Sequence, residues 1–370
     1  MLNLFINNQI IMKTNQLILA AALVALAACN KENIDLPGQY SLDNEIGFTA
    51  VTRKASKATT DNGKIVVDAN YPKTCAFKVW GWQSAAADFS EFDDNDESNF
   101  MSGLTIEWTK GATPETHEEA WRNADHYYYW PFTGKISFLA IHPSSLTPTS
   151  IGWHATNDKP QAAFADYTIT PGTNETVDLM FATNADARRT SALPMVFKHA
   201  LSQIEVQVKT DADYSADVAF DVESVTFHNV DLSGDVTYIN DVIAWTDNTT
   251  QTQNWVYYNE VMEDITNVYQ VYGAAKVNIP QPANIKAGEL ESTDENYVEG
   301  DLTETTITIG YSMEQTGSEK ITGTVTVSKP QIWEAGKRYV YTLNFRLNEI
   351  LFDPEVANWV DADVATINIY

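Results

Sequence analysis

Alternation of apolar and polar residues along short stretches is the feature that most constrains the fold of this chain. In the clearest stretch, residues 339–347, every second position is aromatic or aliphatic. Side chains of a β-strand point to opposite faces in turn, so this period of two predicts a strand with one buried face. Similar stretches lie at residues 136–141, 204–209, 222–230, 306–311, 324–328 and 364–370. The sequence therefore predicts an all-β fold.

Turn-forming residues separate these stretches, and helical patterns are scarce. Clusters of Pro, Gly, Asn and Asp lie between the predicted strands, for example at residues 170–174,. The best candidate for a helical segment is a short turn around residues 114–122. Regularly spaced strands without intervening helices predict β-sandwich domains. A chain of 370 residues has room for two, which we place at residues 45–190 and 191–370,.

The first 28 residues have the pattern of a lipoprotein signal peptide. An uncharged run from Leu17 to Ala28 precedes Cys29. This run is too short to span a bilayer comfortably, and it suits the core of a signal peptide. The tetrapeptide Leu26-Ala27-Ala28-Cys29 is similar to the lipobox at which bacteria acylate a cysteine. We therefore expect removal of residues 1–28 and a lipid on Cys29; a buried helix ending in an incidental cysteine is the alternative.

Acylation of Cys29 would hold the exported precursor on the outer membrane. Each buried methylene contributes about 0.8 kcal/mol, so two or three acyl chains attach a domain firmly. Residues 29–44 are mainly polar and contain Pro37 and Gly38, which predicts a flexible tether,. Translation is expected to begin at Met12, because Met12-Lys13 supplies the positive charge that export signals normally have,.

The composition argues against a nucleic-acid partner and against an intramolecular disulfide. The chain has 23 Lys and Arg against 50 Asp and Glu, a net charge of −27, which opposes binding to nucleic acid,. It has two cysteines, so acylation of Cys29 would leave Cys75 without a disulfide partner,. We expect Cys75 to pack as a small apolar side chain.

Four segments, taken together with their order and spacing, resemble those of a known family. They are Glu45-Ile46-Gly47-Phe48-Thr49-Ala50-Val51-Thr52-Arg53, Tyr128-Tyr129-Trp130-Pro131 running into residues 136–140, Phe197-Lys198-His199-Ala200-Leu201-Ser202-Gln203-Ile204, and Trp333-Glu334-Ala335-Gly336-Lys337-Arg338-Tyr339 with Trp359 downstream. Together they resemble the fimbrillin family, the pilin subunits of Bacteroidales, over nearly all of the mature chain. The resemblance implies two tandem β-sandwich domains of transthyretin-like, Greek-key type.

The same resemblance implies assembly and not catalysis. Fimbrillins are exported as lipoproteins, trimmed by an arginine-specific protease and polymerised by donor-strand exchange. The implied trimming site in this chain is Arg53, although Arg53 as an ordinary surface charge is the alternative. The implied removable strand carries Ile46, Phe48 and Ala50 on one face. Its loss would expose unpaired backbone groups and an apolar groove, which a strand of another pilus subunit fills.

The far C-terminus contains a candidate donor strand. Ala365, Ile367 and Ile369 alternate with Thr366, Asn368 and Tyr370. Stalk subunits of the family use their C-terminal strands as donors, whereas tip and anchor subunits can depart from that scheme. Stalk, tip and anchor positions therefore stay open. We expect a cell-surface location in a fimbrium, with a host protein or glycan as a candidate ligand.

No catalytic or metal-binding constellation is evident in the sequence. His117-Glu118-Glu119 lacks the second histidine of a zinc motif, and residues 317–320 lack the glycine spacing of a phosphate loop,. The acidic run at residues 93–97 lacks the glycine and the distal glutamate of a calcium loop, and we predict that it is solvated,. We therefore predict a protein that is not an enzyme and has no cofactor or metal.

The aromatic content supports an alternative function. Ten tryptophans and 17 tyrosines are present, and Trp80, Trp82, Trp153 and residues 127–130 could stack on sugar rings if they were exposed. The chain would then be a lipid-anchored surface glycan-binding protein. Core packing is the competing explanation, because Val79-Trp80-Gly81-Trp82 alternates as a strand does.

Overall fold

A computed structural model describes residues 45–52, 71–86, 88–109, 120–188, 193–247, 252–281, 305–328, 332–346 and 350–358. Contacts divide the chain into Met1–Glu45 and Ile46–Tyr370, and all strands below belong to the second unit. The described ranges contain twenty β-strands and one 3₁₀ helix, Ala155–Asn157. The all-β prediction is confirmed.

The strands of the described ranges are numbered in chain order. They are β1 (Phe48–Thr52), β2 (Ala76–Ser84), β3 (Met101–Thr109), β4 (Ala120–Arg122), β5 (Lys135–His142), β6 (Ser150–His154), β7 (Lys159–Thr168), β8 (Met180–Ala187), β9 (Leu193–His199), β10 (Ser202–Thr210), β11 (Val218–Asp231), β12 (Ser233–Ile239), β13 (Val242–Asp247), β14 (Thr252–Tyr258), β15 (Gln270–Val271), β16 (Lys276–Asn278), β17 (Thr306–Gln315), β18 (Ile321–Ser328), β19 (Lys337–Phe345) and β20 (Ile350–Asn358).

Seven strands close into a barrel in the order β1-β4-β3-β2-β5-β8-β9. Neighbouring strands of this described barrel are antiparallel, except that β1 runs parallel to β9. Strand β5 is buried on both faces: Ile136 and Phe138 pack inside the barrel, and Leu139 and Ile141 pack in a second, larger core. This double burial explains why residues 136–141 are almost continuously apolar.

A second sheet joins early and late parts of the chain. Its order is β13-β12-β7-β6, so β7 pairs on one side with its neighbour β6 and on the other with β12, which follows it by many residues. The ring of Phe181 in β8 stacks on that of Tyr238 in β12, with centroids 4.9 Å apart. The predicted division at 190/191 falls between β8 and β9, which are neighbours in one barrel. The assignment of two tandem sandwich domains stays a prediction.

Two further sheets form the C-terminal part of the structure. One has the order β15-β10-β19-β20, with β16 also pairing β10, and the other has the order β14-β11-β17-β18. The buried face predicted for β10 is present, because Ile204, Val206 and Val208 are buried. In β19 the five successive residues 339–343 are all buried, so the prediction of a single buried face is wrong for that strand. Trp333, which precedes β19, donates from Nε1 to the Tyr341 hydroxyl at 2.9 Å.

The predicted helical turn around residues 114–122 is wrong at its end. Ala120–Arg122 is strand β4, which pairs with β3 and buries Trp121 in the barrel core. Cross-strand pairing and burial of this large side chain override the weak local helical pattern. Among the described residues, no helical segment has the length and apolar character needed to cross a membrane.

Candidate functional site

Strand β1 is the seam at which the barrel closes. It pairs in parallel with β9 along its length, from Phe48 opposite Leu193 to Thr52 opposite Phe197. On its other side it pairs antiparallel with β4, where Phe48 lies opposite Trp121. In the barrel order β4 and β9 meet only through β1. We call the space between β4 and β9 that β1 occupies the β1 slot.

The side chains of the first strand fill the barrel core through the slot. Ile46, Phe48 and Ala50 are 3%, 2% and 5% exposed, whereas Thr49 between them is exposed. The Phe48 ring meets Phe77 and Phe138 edge to face, with centroids 6.2 and 5.7 Å apart. This segment therefore completes the core of the barrel, although it comes from the very start of the folded unit.

The backbone of β9 depends on β1 for its pairing. The Leu193 N–H donates to the Gly47 carbonyl at 2.8 Å, so this residue of β9 faces the slot. The Pro194 carbonyl accepts from the Asn184 side chain at 2.9 Å, on the β8 side, which places the missing proline N–H away from the slot,. Strand β8 pairs with β9 near its end, at residues 198 and 199. Loss of β1 would therefore leave the first part of β9 with an unpaired edge.

The Tyr71 ring contacts both strands that flank the β1 slot, β4 and β9. It lies 5.0 Å from the ring of Trp121 in β4 and 5.1 Å from that of Phe197 in β9, measured between centroids. It also meets Phe77 at 5.6 Å. Tyr71 is 2% exposed. These aromatic contacts hold β4 and β9 together without using any atom of β1.

His142 lies next to Tyr71, and Asp178 and His199 act on His142 in turn. The Tyr71 hydroxyl is hydrogen-bonded to His142 Nδ1 at 2.5 Å. Burial lowers the pKa of His142, and this effect prevails over the charge of Asp178, which raises it. Burial likewise raises the pKa of Tyr71. His199 Nδ1 is hydrogen-bonded to the Asp178 carboxylate, so His199 is a partnered histidine at the end of β9.

The predicted site residues divide into one group that the structure describes and one that it does not. Phe48 and Ala50 lie in the β1 slot and Ile46 lies just before β1, and all three side chains belong to the barrel core. The others, Cys29, Arg53, Ala365, Ile367 and Ile369, lie outside the described residues, as does Met12. Sequence reasoning missed Tyr71, because it stands apart from any alternating stretch and carries no local signal of burial.

The aromatic residues considered for sugar binding build the two cores. Trp80, Trp82, Trp130 and Trp153 are buried, and Tyr127, Tyr128 and Tyr129 are partly buried. The four tryptophans therefore offer no exposed face for a sugar ring. The glycan-binding alternative is left with the partly buried tyrosines at 127–129 and stays a prediction.

Carboxylates of the acidic run at residues 93–97 accept hydrogen bonds from backbone N–H groups of the protein. The Asp94 and Asp96 carboxylates accept the backbone N–H groups of Ala155 and Asp93 at 2.7 and 2.8 Å. The Asp96 carbonyl accepts from Trp82 Nε1 at 2.9 Å, which fastens the loop over a buried tryptophan. Within the described ranges, no group of three or more His, Cys, Asp or Glu side chains is placed to hold a metal ion.

One family model and several solved structures match this chain. The chain matches the model of a fimbrillin-like family over residues 56–359. No curated protein matches it. A crystal structure of a fimbrial protein from Bacteroides vulgatus is 18% identical, with a TM-score of 0.56, over 86% of this chain and 100% of that one.

Two further crystal structures are of proteins described as cell adhesion proteins. The protein from Bacteroides ovatus is 13% identical over 87% of this chain and 100% of its own, with a TM-score of 0.48. The protein from Bacteroides uniformis is 15% identical over 85% and 99%, with a TM-score of 0.44. At such identities, the likeness to the Bacteroides vulgatus structure shows the fold alone.

Proposed function

Because the chain belongs to the fimbrillin-like family, we propose that it is a structural subunit or tip component of a cell-surface fimbrium that assembles by strand exchange at the β1 slot. Membership of this family makes it a structural protein and not an enzyme. Its main partners are then other pilus subunits, which contribute a strand, and a host protein or glycan is a further candidate partner.

The observation that carries this proposal is the place of β1 at the barrel seam. Ile46, Phe48 and Ala50 complete the core, yet they come from a short segment at the start of the folded unit. One cut after Arg53 would turn this segment into a peptide held only by non-covalent contacts. A barrel that loses it presents an apolar slot and an unpaired edge on β9, which are the features that strand addition requires.

Export and maturation follow the same scheme. Cys29 is the proposed site of acylation, residues 29–44 are the tether, and the outer membrane holds the precursor before trimming. Cleavage after Arg53 then separates the lipid and β1 from the rest of the chain. The proposed donor is the strand of Ala365, Ile367 and Ile369 from another subunit, which offers apolar side chains at every second position,.

Controlled cleavage tests this function. Residues 54–57 are replaced by the recognition sequence of a site-specific protease, and the purified full chain is cut and analysed by electrophoresis without boiling. We expect ladders of stable polymers after cutting and monomers before it. A matched variant with Ile367→Asn and Ile369→Asn should be cut equally well without forming ladders. Persistent monomers after complete cutting and loss of β1 would contradict strand exchange.

A further inference from the structure

We propose that the β1 slot receives residues 365–369 of a second copy in the direction opposite to β1. Ile369, Ile367 and Ala365 then take the places of Ile46, Phe48 and Ala50. This inference rests on the proposed function, to which it adds the direction of the incoming strand and the place of each side chain.

Side-chain size favours the reversed direction. The inward positions of β1 and of the residues just before it carry a medium, a large and a small side chain in order, Ile46, Phe48 and Ala50. Read forwards, the tail offers Ala, Ile and Ile; read backwards, it offers Ile, Ile and Ala. The reversed tail therefore reproduces two of the three side chains and places a smaller one at the third.

The forward direction would misplace side chains at both ends of the slot. Ala365 in the place of Ile46 would leave a cavity in the core, and cavities destabilise a packed interior. Ile369 in the place of Ala50 would add three carbons beside Met195, the register partner of Ala50, whose side chain is fully buried. Overpacking of this kind forces side chains and backbone to move, so it is also unfavourable.

The backbone of β9 accepts a strand of either direction and gains from the reversed one. Because side chains and backbone groups alternate along a strand, Met195 and Phe197 face the slot as Leu193 does, with both their N–H and their C=O groups,. Strand β1 is parallel to β9. Parallel pairing is slightly less stable per residue than antiparallel pairing, so a reversed donor forms the better ladder with β9, where β1 has five register pairs,. With β4 the change is from antiparallel to parallel, but β1 has only one register pair there, so the gain along β9 outweighs it.

The same geometry explains why cleavage must come first. Ile367 in the place of Phe48 makes fewer contacts with Phe77 and Phe138 than the phenylalanine ring does,. While β1 is covalently attached, its high effective concentration further favours it over a tail from another molecule. The tail can displace β1 when the cut has made both strands separate ligands of the slot.

Disulfide trapping measures the direction. The test protein is the full chain with the protease site at residues 54–57. Cys29 and Cys75 are replaced by alanine, so that Pro194→Cys supplies the one reactive cysteine. Ile367→Asn and Ile369→Asn prevent the protein's own tail from acting as a donor. After cutting, peptides of residues 363–370 are added that carry Thr366→Cys or Asn368→Cys. In the reversed direction position 366 takes the place of Thr49, opposite Pro194. In the forward direction position 368 does so.

We expect the Thr366→Cys peptide to cross-link about tenfold faster than the Asn368→Cys peptide, because cysteines with Cα atoms more than about 7 Å apart cannot be bridged. If Pro194→Cys disturbs folding, Val196→Cys replaces it, with cysteine at peptide position 364 for the reversed direction and 370 for the forward one. Faster trapping of the forward peptide would overturn the direction and leave strand exchange standing. If neither peptide releases β1, as followed by mass spectrometry, strand exchange itself is contradicted.

Discussion

The ring of Tyr71 stacks on the ring of Phe197, with centroids 5.1 Å apart and planes inclined by 26°. Phe197 belongs to β9, and the same tyrosine meets Trp121 in β4. One side chain thus joins the two strands that flank β1. Since Tyr71 follows Arg53 in the chain, the proposed trimming would leave this connection in place, and the slot would keep its walls after β1 departs.

Removal of the Tyr71 ring should destabilise the barrel strongly. Tyr71→Ala is expected to lower the free energy of unfolding by about 3–5 kcal/mol, the usual cost of deleting a large buried aromatic side chain. Tyr71→Phe keeps the ring and loses one hydrogen bond to His142, so we expect a loss of about 1 kcal/mol,. Urea unfolding measures both. Tyr269→Ala, at a side chain that is 57% exposed, is the matched control and should change little,.

Phe48 should contribute more to the uncut chain than any exposed residue of the same strand. Phe48→Ala removes a buried ring that meets Phe77 and Phe138 and should lower the free energy of unfolding by about 3–5 kcal/mol,. Thr49→Ala, at the exposed neighbouring position, should stay within about 0.5 kcal/mol of the unchanged chain,. Equal unfolding midpoints for the two variants would show that β1 does not complete the core.

Stability should fall in mild acid because of His142. Burial lowers its pKa below the ordinary value of 6.5, against an opposing effect of Asp178, while the charge of His199 lowers it further. His142 therefore binds a proton less readily in the folded state than in the unfolded state. The stability that depends on neutral His142 is fully present above pH 6.5 and is lost as the pH falls through the pKa of the folded state,.

The measurement compares urea midpoints at about pH 7.5 and about pH 5.5, on either side of the ordinary histidine pKa. His142→Gln should reduce the difference between the two midpoints, because glutamine does not titrate. His126→Gln, at an exposed histidine, is the control and should leave the difference unchanged. An unaltered difference in the His142 variant would mean that other groups set the acid sensitivity.

Gly134 should be irreplaceable at the turn into β5. Its φ is +88°, and a Cβ atom there would lie 2.1 Å from the Ser84 carbonyl oxygen of β2. Gly172 has a similar φ of +73° with nothing within 4 Å of the added atom. Gly172→Ala should therefore show only the strain of the left-handed conformation, about 1–2 kcal/mol. Gly134→Ala should lower the melting temperature clearly more, since backbone atoms must move; equal melting temperatures would contradict the close approach of Gly134 to Ser84.

Much of the local structure was predictable because it depends on neighbouring residues alone. The period of two located β10, β11, β17, β18 and β19, and a short apolar run located β5; the same period placed Ile204 and Val206 on a buried face. The region of β4 was not predictable in this way. Its three residues are too few to show a period, and Trp121 is held by pairing with β3 and by packing in the barrel core.

The sequence by itself determined that the chain is all-β and which side chains of a strand share a face, because both follow from the alternation of Cβ directions. It also placed Ile46, Phe48 and Ala50 on one side of a strand. Only the tertiary structure decided that this strand lies between β4 and β9, that it runs parallel to β9, and that Tyr71 joins its neighbours. Strand partners far apart in the chain are selected by the packing of the whole core, and a local pattern carries no information about them.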